Sequence, residues 1–147
     1  MKNAIPKTSR SLPIALLRAR EQVMGPIRNM LSGVGITEQQ WRVLRVLRES
    51  GPLEPTHISE EACLLLPSLT RILQKLEEKK LIKRKRDTND KRRQIVHITP
   101  EGASLIEANI AKSLAVLDEI RSRMGPDRYD ALLDLLNELD RSGADQP

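Results

Sequence analysis

Along the chain the apolar positions repeat at helical spacing, switch briefly to strand-like alternation, and then return to helical spacing. From Ser11 the run SLPIALLRAREQVMGPIRNML carries Leu16, Leu17, Met24, Ile27 and Leu31 on one stripe, with Ser11 as N-cap and Pro13 in the first turn. Gly25-Pro26 is where this first helix would kink. Residues 1–10 before it are polar, show no period and read as a loose arm. After the SGVG turn, TEQQWRVLRVLRES begins with a Thr37/Gln40 capping box and shows an apolar face of Val43, Leu44, Val46 and Leu47. This second helix should end near Gly51-Pro52. The segment EPTHISEEACLLLPSLTRILQKLEEKK then gives a short helix, a tight connection at Cys63 to Leu65, and a further helix opened by Pro67. That helix has Leu69, Ile72, Leu73 and Leu76 inward at i, i+3, i+4 and i+7, which leaves Ser68, Thr70, Arg71, Gln74 and Lys75 outward.

Next come LIKRKRD and RQIVHIT, two short runs around a polar T-N-D-K loop, the pattern of a hairpin. Thr99 caps the following helix, with Pro100 at its first position and Glu101 near its positive end. Ile106, Ile110, Leu114, Leu117, Ile120 and Met124 keep helical spacing for about five turns. A break at Gly125-Pro126 starts a last helix carrying Tyr129, Leu132, Leu133, Leu136 and Leu139. Helix, tight turn, helix, hairpin is the order of a winged helix-turn-helix. The predicted fold class is therefore mostly α with a small β-hairpin wing. The terminal helices offer more apolar surface than a small winged lobe can cover, so a homodimer is expected. One domain over 1–147 would then contain dimerisation helices at 11–33 and 99–141 and a DNA-binding lobe at 36–98.

Charge sharpens this picture. Between Lys83 and Arg93 stand seven basic residues against Asp87 and Asp90, a local excess of +5 that equals the net charge of the whole chain. A basic run can be a solvated surface, a tail, a localisation signal or a nucleic-acid contact. Here it is interleaved with Ile82, Ile95, Val96 and Ile98, which would pair as strands, so it belongs to a folded wing. Directly before it lies the outward face of Ser68, Thr70, Arg71, Gln74 and Lys75, donors that suit base edges in a major groove, with Pro67 at its entry. Double-stranded DNA rewards both parts together, because the wing residues Lys83, Arg84, Lys85, Arg86, Asp90, Lys91, Arg92 and Arg93 can engage phosphates or a minor groove. RNA is disfavoured, since stacking aromatics are nearly missing: no Phe, one Trp and one Tyr.

Other classes are disfavoured by composition. A length of 147 residues suits one folding unit, and 39% hydrophobic with 31% charged residues suits a helical protein with charged faces. No apolar run is long enough to span a membrane and no signal-peptide core opens the chain, so a cytoplasmic location without membrane attachment is expected. A glycine-rich phosphate loop, a G-x-S-x-G elbow and an H-E-x-x-H helix are all missing from the sequence, and neither enzyme activity nor a cofactor is expected. One cysteine and two distant histidines, His57 and His97, cannot form a closed metal site. Apolar neighbours of Cys63, namely Ala62, Leu64, Leu65 and Leu66, predict a buried, unreactive thiol with a raised pKa.

The residues resemble the MarR family of bacterial winged-helix transcription regulators over nearly the whole chain. DKRRQIVHITPEG looks like that family's wing signature, D-x-R followed by an I-T-x-x-G that starts the dimerisation helix. The resemblance implies that Arg92 is a wing-tip arginine entering a minor groove and that Asp90 orients it. More narrowly, SLPIALLRARE, TEQQWRVLRVL and ACLLLPSLT resemble the subgroup that controls aromatic-acid catabolism, typified by the homoprotocatechuate-degradation repressor. This implies a homodimer on a pseudo-palindromic operator, released by a small aromatic carboxylate. One departure is Cys63, where many helix-turn-helix proteins have Gly; it costs little if its φ is negative.

Effectors in this family commonly bind between the dimer helices and the DNA-binding lobe. Arg20 falls in the stripe of Leu16, Leu17, Met24 and Ile27, where a guanidinium would be partly desolvated and would welcome a carboxylate. Trp41 and Arg45 stand i, i+4 as a flat wall beside a second cation, and Ser11 could donate a hydroxyl. The plainer alternative pairs Arg20 with an internal acid and leaves Trp41 as core. At the level of function the alternatives are a non-sensing architectural DNA-binding protein, a redox-responsive regulator acting through Cys63, and an interaction module for an acidic partner.

Overall fold

The computed structural model describes residues 4–144. A 3-10 turn over Thr8–Arg10 precedes α1 (Leu12–Ser32), so the expected loose arm is ordered at its end, with Thr8 Oγ1 accepting from Arg18 at 3.0 Å. The part of that arm before Ala4 lies outside the described residues. Ser11 sits at the helix entrance as expected, its carbonyl accepting from Ala15 N at 2.8 Å. The helix runs unbroken through Pro26.

Next follow α2 (Glu38–Ser50), α3 (Pro55–Glu61), α4 (Leu66–Glu78), β1 (Ile82–Arg86), β2 (Gln94–Ile98), α5 (Pro100–Met124) and α6 (Pro126–Ala144). The capping box of α2 is present in both directions, Thr37 Oγ1 accepting from Gln40 N and Gln40 Oε1 from Thr37 N, each at 3.1 Å. Gly51 ends α2 with φ 77, a conformation that favours glycine.

The chain forms two compact units. One, Met24–Lys112, holds the core: Leu31, Val43, Leu44, Leu47, Ile58, Leu69, Leu76, Ile82 and Val96 are almost completely buried. This unit extends beyond the predicted lobe at both ends, taking in the second half of α1 and the first half of α5. Its hairpin pairs antiparallel in the register Ile82 with Ile98, Arg84 with Val96 and Arg86 with Gln94. Leu53 adds an isolated bridge to Val96 through two backbone hydrogen bonds of 2.8 and 3.2 Å, which ties the two-stranded wing to the segment before α3, a pairing that the sequence pattern did not reveal.

The join between wing and α5 is tight. Thr99 is buried; its Oγ1 donates to Lys80 O at 2.8 Å and accepts from Gly102 N at 3.1 Å. A Cβ on Gly102 would lie 2.3 Å from the carbonyl oxygen of Leu81, so the T-x-x-G spacing places the one residue that fits against that backbone. The other unit, reaching Val23 and resuming at Ser113, leaves much apolar surface open. Leu12, Leu16, Leu17, Leu114, Leu132, Leu133, Leu135, Leu136 and Leu139 are all exposed in the single chain.

Candidate nucleic-acid interface

The predicted reading helix is α4. Leu69, Leu73 and Leu76 bury its inner face, with Ile72 half-buried beside them, while Pro67, Thr70, Arg71, Gln74 and Lys75 are exposed and Ser68 is half-buried. Thr70 donates its hydroxyl to Leu66 O at 3.2 Å, which leaves the oxygen's acceptor capacity outward. A cleft of about 420 Å³ runs beside this face, lined by Thr37, Gln39, Leu64, Ser68, Arg71 and Lys75.

The turn that delivers α4 is held from α2. Arg42 donates Nη1 to Ala62 O at 2.8 Å and to Cys63 O at 3.3 Å, and Ser59 Oγ donates to Leu64 O. Cys63 has φ 53, not the negative value expected, and its side chain is exposed. The predicted buried thiol is thereby corrected: a left-handed residue turns its Cβ away from the core, and Leu65, Leu66 and Pro67 after it are exposed as well, with Leu64 half-buried.

In the wing, alternation sorts the basic residues into two groups. Lys83, Lys85 and Arg86 are exposed, as are Lys91 and Arg92 in the loop. Arg84 falls on the inner face with Val96 and is half-buried, and Glu77 of α4 takes it in a fork, accepting from Nη2 at 2.9 Å and Nε at 3.3 Å, with the Arg84 backbone N–H at 3.2 Å. The hydrogen bonds from Arg84 hold the Glu77 carboxyl below the usual carboxylate range, and the same bonds raise the guanidinium. Arg93 is paired with Glu54, whose hydrogen bond raises the Arg93 guanidinium. Two of the seven basic side chains are therefore matched by carboxylates outside the segment, and the strand Lys83 to Arg86 is not one uniform stripe of charge.

The tip is built differently. Asp90 Oδ1 accepts from Arg92 N at 3.0 Å and from Nε at 3.4 Å, while the Arg92 side chain remains 93% exposed. Arg93 N–H donates to Asp90 O at 3.0 Å and Asp87 N–H to Arg93 O at 2.9 Å, closing the loop into a defined turn.

These features are a helix with an exposed polar and basic face, a turn pinned by Arg42, and a wing with an arginine at its tip. A family model described as "MarR family" matches residues 36–93, the segment that contains all three. The HTH-type transcriptional regulator FarR of Neisseria gonorrhoeae is 40% identical over 129 residues, 88% of each chain. The chain belongs to the MarR family. It is a transcriptional regulator, and not an enzyme. Also similar is the homoprotocatechuate degradative operon repressor of Escherichia coli, at 35% identity over 87% of this chain and 86% of that one. Among solved structures, NadR in complex with 4-hydroxyphenylacetate is 39% identical with a TM-score of 0.79, covering 92% of this chain and 97% of its own.

The four residues predicted for an effector lie in different units. Trp41 is 7% exposed within the Met24–Lys112 unit, and Arg45 is exposed on the same helix, where it borders a cleft of about 310 Å³ with Arg48, Glu49, Ile106, Glu107 and Ile110. Ser11 is half-buried and Arg20 exposed in the other unit. The desolvation expected at Arg20 is absent from the single chain because Leu16 and Leu17 around it are themselves 40% and 65% exposed. His57 is exposed and His97 half-buried, and no group of three or more potential metal ligands occurs among the described residues. No helix among them is long and apolar enough to cross a membrane.

Sequence reasoning missed Arg42, Glu54 and Glu77, which position the site without belonging to its exposed face. Glu77 had a usable signal: a strand register that puts Arg84 inward requires a carboxylate nearby.

Proposed function

We propose that this chain is a homodimeric repressor of an aromatic-acid catabolic operon, bound to a pseudo-palindromic operator and released by a phenolic carboxylate. The observation that carries the DNA half is Arg92, fully extended into solvent yet held by Asp90, beside an α4 whose exposed face offers Arg71, Gln74 and Lys75. Side chains held in place before binding lose less entropy when they bind. In this reading Pro67, Ser68, Thr70, Arg71, Gln74 and Lys75 enter a major groove, while Arg92 reaches a minor groove. Lys83, Lys85, Arg86 and Lys91 neutralise phosphates, and Arg84 and Arg93 brace the wing through their carboxylate partners.

The similarity to the homoprotocatechuate degradative operon repressor and to NadR with 4-hydroxyphenylacetate supports the choice of effector class. Within the Met24–Lys112 unit, Arg45 and Trp41 of α2 are the candidate groups for the carboxylate and ring, and in the other unit, taken by itself, Arg20 of α1 and Ser11 before it are candidate carboxylate partners. The exposed leucines of α1, α5 and α6 support the dimer, because so many large apolar side chains left in water favour a partner that covers them. Two measurements test the proposal. Gel shifts on the chain's own promoter should show specific retardation that hydroxylated phenylacetates or benzoates reverse, and Arg92→Ala should weaken it. Trp41 fluorescence should be quenched by the same acids, and Arg45→Ala together with Arg20→Ala should abolish the response. Binding to random DNA with equal affinity, or indifference to every such acid, contradicts the proposal.

A further inference from the structure

Leu65 and Leu66 are the two large apolar side chains left exposed in the Met24–Lys112 unit, at 77% and 44%. Every other exposed large apolar residue among those described belongs to the other unit. Leu65 is also the N-cap of α4 and provides no side-chain hydrogen bond there, although Ser, Thr, Asp or Asn at an N-cap would stabilise the helix. Leu65 therefore gains neither burial nor a capping hydrogen bond for the fold.

The backbone that carries it is nevertheless fixed. Four consecutive carbonyls are occupied: Ala62 O and Cys63 O by Arg42, Leu64 O by Ser59 Oγ, and Leu65 O by Leu69 N at 3.0 Å. Leu66 also opens a ridge that continues at intervals of four through Thr70 and Gln74, the polar face assigned above to base edges. An aliphatic pair at the entry of a reading helix, rigidly held and continuous with its polar ridge, matches one chemical feature of a major groove: the C5-methyl group of thymine.

We infer that Leu65 and Leu66 read thymine methyl groups in each operator half-site. This rests on the reading of α4 as the groove-entering helix. Hydrophobic contact with the methyl adds discrimination that the hydrogen bonds of Ser68 and Gln74 do not supply, and it offers more aliphatic surface than the single methyl of Thr70.

The test uses the full-length chain and the tightest-binding duplex selected from a random pool, with each thymine replaced in turn by uracil, which lacks only the methyl. Wild type should lose about fourfold in affinity at one or two positions per half-site, the value for one buried methylene-sized group. Leu65→Ser should bind thymine and uracil duplexes equally at a position where wild type discriminates, and it should melt at a temperature no lower than wild type because serine caps the helix. Leu66→Ala should flatten discrimination at the same or the adjacent position. If wild type is indifferent to uracil at every position, or if Leu65→Ser discriminates as wild type does, the inference is overturned while the DNA-binding role of α4 stands. If no duplex is selected at all, or selected binding is indifferent to Gln74→Ala and Arg92→Ala, the reading of α4 fails and this inference with it. A Leu65→Ser variant whose sedimentation changes while its thymine discrimination persists would assign the leucines to a protein contact instead.

Discussion

Two backbone positions set the local geometry of the site, and they respond to substitution in opposite ways. Cys63 occupies the left-handed region with φ 53, a conformation that costs a residue with a Cβ roughly 1–2 kcal/mol. Glycine would relieve that strain and add back part of the cost as chain entropy, so Cys63→Gly should stabilise the protein by about 0.5–1 kcal/mol in urea unfolding. Unchanged or lower stability would mean that the side chain contributes packing its exposure does not show. Gly102 is the reverse case. Its added Cβ would meet Leu81 O at 2.3 Å and Ile98 Cγ1 at 2.8 Å, and a carbonyl held by the Thr99 amide has little room to yield. Gly102→Ala should therefore cost about 1–3 kcal/mol. The glycine was legible in the sequence as part of a motif, whereas the reason for it was not, because the clash partner lies twenty-one residues upstream. The φ of Cys63 was not legible either, since the apolar letters around it predicted burial, whereas the turn buries Ala62 and leaves Cys63, Leu65 and Leu66 exposed.

At the level of elements, the parts that alternate or repeat were readable and those that bridge elements were not. The stripe of α4, the capping box of α2 and the presence of the hairpin all follow from patterns within one segment. The tether between wing and α4 joins Glu77 to Arg84 across a chain reversal at Lys79 and Lys80, and the tether from Glu54 to Arg93 spans thirty-nine residues. The first tether has a pH signature. The Glu77 carboxyl is held below its ordinary value by the Arg84 hydrogen bonds, so the folded state favours its ionised form. Its contribution is present above the ordinary carboxylate value of about 4.3 and is lost as pH falls through the lower folded value. Wild type and Glu77→Gln should therefore differ most in stability at neutral pH, by no more than about 1 kcal/mol because the pair is partly exposed, and should converge in acid. A gap that widens on acidification would contradict this assignment.

For the molecule as a whole, the question is how much of the +5 is available to a phosphate backbone. Counting residues gives one answer and pairing gives a smaller one, since Arg84 and Arg93 already face carboxylates while Lys83, Lys85, Arg86, Lys91 and Arg92 are exposed. Arg92 does touch Asp90, but its side chain is 93% exposed and the contact is a single long one, so a phosphate can compete for it. Counterion release turns this distinction into a slope: each phosphate neutralised on duplex DNA contributes about 0.9 to the fall of log affinity against log salt. A dimer carries every substitution twice. Arg92→Ala and Lys91→Ala should each flatten the slope by up to about 1.8, and less where the group touches bases instead of phosphate. Arg84→Ala should leave the slope nearly unchanged, because the Arg84 guanidinium already faces Glu77 and neutralises no phosphate. It should instead lower stability, since the wing loses its brace on α4. Titrations of operator binding between low and physiological salt, run on the three variants in parallel, separate these outcomes. If Arg84→Ala flattens the slope as much as Arg92→Ala, then Glu77 gives up its partner on binding, and the wing delivers its inner arginine to DNA as well as its tip.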